Sequence, residues 1–212
     1  MTEIDHRQTR RDYSRGSLRR SDLAADPFVQ LGRWLAEAED QPDATAMALA
    51  TVNDHGQPSQ RMVLLKHLDT RGLCWYSDTR SQKGRELAHN PRACLLFFWA
   101  PLERQIRVEG IVERLTEAEA EAYVRSRPPG SRLAAAASHQ SAPIAGRDAL
   151  EARLKAVQER HPDGDVPRPE SWIGFRLVPE AFEFWQGRDN RLHDRFRYHR
   201  DEAGWGLTRL MP

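Results

Sequence analysis

Short apolar runs broken by turn-forming residues recur along this chain, and their spacing predicts strands more often than helices. Positions 46–52, 61–67, 73–77, 93–99 and 105–115 read as strands in quick succession. Asn53-Asp54-His55-Gly56 and the stretch 69–72 supply turns between the first three. A helical period precedes this meander and interrupts it once. Asp26-Pro27 forms a helix start, with Asp as cap and Pro at the first helical position, and Phe28, Leu31, Trp34 and Leu35 form one apolar stripe. A short helix is expected over 82–89.

Thr116-Glu117-Ala118-Glu119 is a capping box that opens a helix ending before Pro128-Pro129-Gly130. An Ala-rich segment at 133–137 and a charged helix around 148–160 follow. Strands resume at 172–178, 181–185, 195–199 and 205–210, the last two as a hairpin around Asp201–Gly204. Strands at both ends, without regular strand–helix alternation, predict a mainly β fold. The expected form is a closed antiparallel barrel with flanking helices. Residues 1–25 offer few apolar side chains and are expected to be mobile or wrapped over a partner, leaving 26–212 as a single domain.

Composition narrows the function classes. A net charge of +1 supplies no field to draw in nucleic acid. No run approaches the roughly 18 apolar residues of a membrane span, and the Arg-rich start lacks the apolar core of a secretory signal. A cytoplasmic protein is expected. Cys74 and Cys94 lie in strand-like runs and read as core residues, not a disulfide framework. No G-x-G-x-x-G, P-loop or G-x-S-x-G motif occurs, and the eight histidines form no metal-ligand cluster, so no metal is expected. Of the 32 basic residues only Lys66, Lys83 and Lys155 are lysines. In so Arg-biased a chain, a lysine suggests a position where an ammonium serves better.

Five segments concentrate polar chemistry. In Arg61–His67, cations stand at opposite ends and faces of an apolar strand; two strand-end charges reaching water would also account for them. Ser77–Lys83 puts hydroxyls and a cation at a helix start, which suits either a phosphate cradle or an ordinary capped surface helix. Glu103–Gly110 is a strand carrying Gln105 among several charges. Tyr123 and Arg127 are one helical turn apart, with the Ser131 hydroxyl just past the Pro-Pro-Gly stop, and the trio could clamp a second phosphate. Phe184–Arg195 packs charges and a histidine behind an aromatic pair, and here a functional reading outweighs a bland turn.

These segments, in this order, resemble the pyridoxine/pyridoxamine 5′-phosphate oxidase family. The resemblance runs from Arg10–Tyr13 and Ser17-Leu18-Arg19-Arg20 through R-M-V-L-L-K-H, E-R-Q-I-R-V-E-G and S-R-P to F-W-Q-G-R-x-x-R-L-H-D-R-F. It implies a split β-barrel homodimer with flavin mononucleotide (FMN) at the subunit interface. It assigns to the cofactor Arg61, Met62, Val63, Leu64, Leu65, Lys66, Tyr76, Ser77, Gln82, Lys83, Gln105, Trp185 and Arg195, with Gln140 and Ser141 reaching it across the dimer. It assigns to the substrate Arg10 and Tyr13 as a lid, the phosphate ligands Lys66, Tyr123, Arg127 and Ser131, and the segment Arg191, Leu192 and His193. Arg191 and His193 are the implied catalytic pair.

The implied reaction oxidises pyridoxamine or pyridoxine 5′-phosphate with O2 to pyridoxal 5′-phosphate and hydrogen peroxide. Two departures stand out: Gln82 where the family usually has Arg, and Ile173 within a W-G-G-[FY] pattern. A related phenazine-type oxidase or flavin reductase, or a non-catalytic flavin or pyridoxal-phosphate carrier, are the alternatives.

Overall fold

The computed structural model describes residues 5–9, 11–202 and 204–212. Its helices are α1 (Pro27–Glu37), α2 (Gln82–His89), α3 (Glu117–Ser126), α4 (Pro129–Ala137) and α5 (Arg147–Arg160). Its strands are β1 (Ala46–Val52), β2 (Pro58–Leu64), β3 (His67–Asp69), β4 (Gly72–Asp78), β5 (Arg92–Trp99), β6 (Arg104–Arg114), β7 (Trp172–Gln186), β8 (Asp194–Asp201) and β9 (Gly204–Leu210). They pair in the order β2-β1-β5-β6-β7-β4-β3, with β8 between β7 and β9. The chain is therefore mainly antiparallel β with flanking helices.

Local chemistry explains where elements begin. The Asp26 carboxylate accepts from the Phe28 N–H, and the Ser81 hydroxyl accepts from Gly84. Thr116 and Glu119 complete the expected capping box. Pro128-Pro129-Gly130 ends α3 as read, but Pro129 also opens α4, because the first helical position needs no N–H.

Two strand expectations need correction. The 61–67 run is not one strand: β2 stops at Leu64 and β3 begins at His67, with the Lys66 N–H donating to the Cys74 carbonyl (2.8 Å). Conversely, 172–178 and 181–185 form one strand despite Pro179. Close backbone approach makes that continuity possible. A Cβ on Gly110 would fall 2.1 Å from the Val178 carbonyl oxygen, so only glycine fits opposite this stretch.

The contacts divide the chain into two compact units, with β5, β6 and β7 each contributing to both. One unit comprises Ala46–Leu95 and Glu109–Pro179, and its buried core includes Met47, Leu49, Leu73, Trp75 and Leu177. Trp75 stacks on Phe175 (5.7 Å). The other comprises the described residues of Met1–Thr45 with Leu96–Val108 and Glu180–Pro212. Its core is aromatic: Trp34 meets Phe184 edge-on (5.2 Å), and Phe184 meets Tyr198 (5.6 Å). Burying each such ring contributes roughly 1.5–3 kcal/mol.

The N-terminal stretch is anchored more firmly than its composition suggests. Leu18 is buried, the Arg15 N–H donates to Glu103 (2.9 Å), and the Leu18 N–H donates to Asp194 (3.1 Å). Backbone groups make these anchors, so side-chain hydrophobicity does not advertise them. Cys74 is buried in β4, as a core residue should be, while Cys94 is half-buried in β5.

Candidate functional site

In the first unit, the start of α2 gathers a polar cluster around Lys83. The lysine is buried, and its Nζ donates to Gln140 Oε1 (2.7 Å), Ser77 Oγ (3.2 Å) and Ser81 Oγ (3.3 Å). All three partners are neutral. Burial, then the nearby Arg61 charge, lower its pKa to about 8. A buried ammonium among neutral oxygens is a site that an anion would complete. Gln140 belongs here through its own chain's Lys83 and Ser77; Ser141 beside it is exposed, with φ 68°. Asp78, fully buried, fixes the loop by binding Arg80 (2.7 Å), which in turn donates to the Ser138 carbonyl (3.2 Å).

Arg61 is differently placed. Its guanidinium donates to Ser59 Oγ (2.6 Å) and Thr51 Oγ1 and pairs with buried Glu86 (3.2 Å). Glu86 also accepts from Gln82 (2.9 Å) and from the Thr51 and Ser59 hydroxyls, and these partners hold its pKa low against burial. Gln82 is thus engaged with Glu86. Arg85 donates to the Arg80 carbonyl. Along β2, Met62 and Leu64 are exposed while Arg61 and Val63 are half-buried; Leu65 is buried and Lys66 exposed.

The second cluster of this unit lies on α3. Tyr123 stacks on Tyr76 with ring centres 3.6 Å apart, and burial raises both phenol pKa values, that of Tyr76 to about 12. Arg127 lies over the Trp172 indole (4.3 Å). Its NH1 is buried without an acceptor, and no carboxylate lies within ion-pair distance among the described residues. Ser131, half-buried, sits in the first turn of α4.

His67, Asp69 and Cys74 bring metal-ligand atoms within 4.8 Å of one another. Asp69 is already bound to the buried Arg176 (2.9 Å), whose guanidinium provides the cation at that place.

In the other unit, Trp185, His193 and Tyr13 form an aromatic group. His193 lies 4.6 Å from Trp185, and Tyr13 meets both edge-on (5.7 and 5.6 Å). Tyr13 rests on Gly187, where any Cβ would fall 2.8 Å from its ring. His193 Nδ1 accepts from the Arg188 N–H (3.1 Å), so a neutral ring carries its proton on Nε2. Burial and the Arg191 and Arg195 charges lower its pKa, favouring that neutral form. Arg191 is exposed and follows Asn190, both in the left-handed region (φ 62° and 52°). Two consecutive non-glycine residues there cost on the order of 1 kcal/mol each, strain of the kind found at functional positions. Leu192 is exposed. Arg195 is held by Glu183 (2.7 Å), which also binds Arg107 (2.6 Å); Gln105 is half-buried on β6. Arg10 lies outside the described residues.

Sequence reasoning missed Glu86 and Glu183, and gave no role to Asp78 within Ser77–Lys83 or to Trp172 at the head of the W-G-G-[FY] pattern. Glu86 had a signal of its own: a carboxylate one helical turn beyond Gln82.

Known proteins give this arrangement its context. The profile of the pyridoxamine 5′-phosphate oxidase family matches residues 36–161, and that of the pyridoxine 5′-phosphate oxidase C-terminal dimerisation region matches residues 172–212. The chain is 52% identical over 208 residues to a pyridoxine/pyridoxamine 5′-phosphate oxidase of Burkholderia mallei, covering 96% of this chain and 97% of that one. A Ralstonia pickettii protein of the same name is 52% identical over 206 residues, with the same coverage. Among solved structures, PhzG of Burkholderia lata, in complex with tetrahydrophenazine-1-carboxylic acid, superposes with a TM-score of 0.85. It has 34% identity and covers 91% of this chain and 95% of its own. An FMN-binding, pyridoxamine 5′-phosphate oxidase-related protein of Nostoc punctiforme shares the fold at a TM-score of 0.73, with 20% identity over 90% of this chain and all of its own. The fold is that of the split-barrel proteins. Within them, this chain belongs to the pyridoxine/pyridoxamine 5′-phosphate oxidase family. No helix among the described residues is long and apolar enough to cross a membrane.

Proposed function

We propose that this protein is an FMN-dependent oxidase, working as a homodimer, that converts pyridoxamine and pyridoxine 5′-phosphate to pyridoxal 5′-phosphate. The observation that carries the reading is Arg127: a half-buried guanidinium with an unbonded N–H and no carboxylate partner. Such a group fits an incoming phosphate. Names of relatives at 52% identity point to the same substrates.

Lys83, Ser77 and Ser81 would hold the cofactor phosphate, and the neutral oxygens around Lys83 fit that role. FMN held there would supply the redox chemistry, as acceptor of a hydride from the substrate C4′ carbon with dioxygen as the final oxidant. The chain's own part is binding, orientation and control of protons. Tyr123, Arg127, Ser131 and Lys66 would hold the substrate phosphate, fixing the ring by its far end. Arg191 would orient C4′ and favour the reactive protonation state of the substrate. His193, neutral with a proton on Nε2, can donate from that atom while Nδ1 stays bound to the Arg188 backbone.

A phenazine-type oxidase is the second reading, favoured by the PhzG superposition. It leaves the unpartnered Arg127 unexplained. Purified protein should be yellow, release FMN on denaturation, and form peroxide with pyridoxamine 5′-phosphate in an oxygen-dependent way. Flavin-loaded protein inert toward both phosphorylated substrates would sink the proposal.

A further inference from the structure

Three arginines of this unit are oriented by acids: Arg61 by Glu86, Arg80 by Asp78, and Arg176 by Asp69, Glu113 and Glu119. Arg127 is not. What lies against it is the indole of Trp172, 4.3 Å from the guanidinium carbon. The difference has a chemical consequence. A carboxylate fixes a guanidinium by occupying its N–H groups and neutralising its charge. An aromatic face fixes it from above, leaving both the charge and the in-plane donors for a ligand. The unbonded NH1 of Arg127 is such a spare donor.

The same short stretch of β7 also serves the other aromatic member of the cluster. A Cβ on Gly174 would lie 2.8 Å from Tyr76 Cε1 and 2.5 Å from Leu115 Cδ1. The absent side chain leaves room for the Tyr76 ring, on which Tyr123 stacks at 3.6 Å. Residues two apart on a strand share a face. Trp172 and Gly174 therefore form one floor beneath Arg127 and the Tyr76–Tyr123 stack, while buried Ile173 faces the other way.

We infer that Trp172 is a positioning residue for phosphate recognition, holding Arg127 charged, oriented and uncommitted for a phosphate monoester. Ile173, the departure from the W-G-G-[FY] pattern, leaves that floor unaltered. The inference rests on reading Arg127 as a ligand of the substrate phosphate.

The test uses the flavin-loaded protein with three probes: pyridoxamine 5′-phosphate, pyridoxamine and inorganic phosphate. Trp172→Leu removes the ring; Trp172→Phe keeps a smaller one and safeguards against misfolding of the first variant. The expected result for Leu is a loss of affinity for both phosphate-bearing probes, roughly three- to thirtyfold. The loss should appear in KM more than kcat, be smaller with Phe, and spare pyridoxamine. Combined with Arg127→Ala, Trp172→Leu should add no further loss, since the ring acts only through the guanidinium. If Arg127→Ala weakens phosphate binding and both Trp172 variants do not, the inference falls and the functional reading stands. Equal weakening of pyridoxamine would reduce Trp172 to a packing residue and overturn it too. If Arg127→Ala leaves all three probes unaffected, the phosphate reading of the site fails, and the inference with it.

Discussion

Single residues here divide by what satisfies their charge. Glu86 anchors one extreme: a buried carboxylate bound to Arg61, Thr51, Ser59 and Gln82. Glu86→Ala would strand a largely buried guanidinium and remove the acceptor of two hydroxyls. The expected cost is about 3–5 kcal/mol in urea unfolding, the usual range when one member of a buried pair is removed. An unchanged midpoint would mean that water replaces the carboxylate without loss. Lys66 and Arg127 are the opposite case, with no acid within ion-pair distance among the described residues. Replacing either with alanine should raise KM for pyridoxamine 5′-phosphate roughly ten- to a hundredfold while bound flavin stays near its original level, measured by its visible absorption. Arg61, Lys83, Tyr123 and Arg127 stood out in the sequence because cations and hydroxyls in apolar or helix-start settings are conspicuous. Trp172 and Glu86 did not. A tryptophan at a strand start reads as core, and the arginine it orients lies 45 positions earlier, so only the fold brings them together. Gln82 shows the same limit: its partner is a carboxylate on its own helix, which the phosphate-cradle reading passed over.

Secondary structure followed the local signals wherever the signal was itself local. Caps at Asp26, Ser81 and Thr116 open α1, α2 and α3, because a cap is a contact within a few residues. The two strand errors arose where a distant backbone decides. Pro179 argued for a break, yet β7 runs through it. The backbone of Gly110 provides the room, and the sequence carries no mark of that closeness beyond the glycine itself. Gly110→Ala should therefore be severe, about 3 kcal/mol or more, since the Cβ would strike a carbonyl that cannot swing aside. Gly174→Ala meets a leucine methyl and a tyrosine ring edge, which can shift. A cost of about 1–3 kcal/mol is expected, with a changed near-ultraviolet circular dichroism from the displaced Tyr76–Tyr123 stack. Thermal unfolding of both variants checks the order. If Gly174→Ala proved the more damaging, the close approach at Gly110 would be of no consequence.

At the scale of the whole molecule, cofactor binding and stability should be joined through pH at Lys83. Its amine is buried among Ser77, Ser81 and Gln140, and burial with the Arg61 charge brings its pKa from 10.5 to about 8. Arg61 is largely committed to Glu86, so the ammonium of Lys83 is the uncommitted charge for a cofactor phosphate. A bound dianion would favour the charged amine and raise its pKa again. FMN affinity should then be flat between about pH 7, where a phosphate with a second pKa of about 6 is almost fully dianionic, and about pH 8. Above that it should fall by up to tenfold per pH unit, until the pH reaches the raised pKa of the bound form. The protein without cofactor responds in the opposite sense. Its Lys83 pKa lies below the unfolded value, so between about pH 8 and 10.5 the unfolded chain binds more protons and this group's contribution to folding improves with pH. The stabilisation added by FMN, read as the Tm difference between loaded and cofactor-free protein at fixed FMN concentration, should therefore shrink above pH 8 in step with the falling affinity. Titration by flavin fluorescence at pH 7, 8, 9 and 9.5, alongside thermal melts, measures both quantities. Lys83→Met should bind FMN more weakly at pH 7 and lose the alkaline decline. A dissociation constant that stays level from pH 7 to 9.5 in the unaltered protein would remove Lys83 from the phosphate site and return that charge to Arg61.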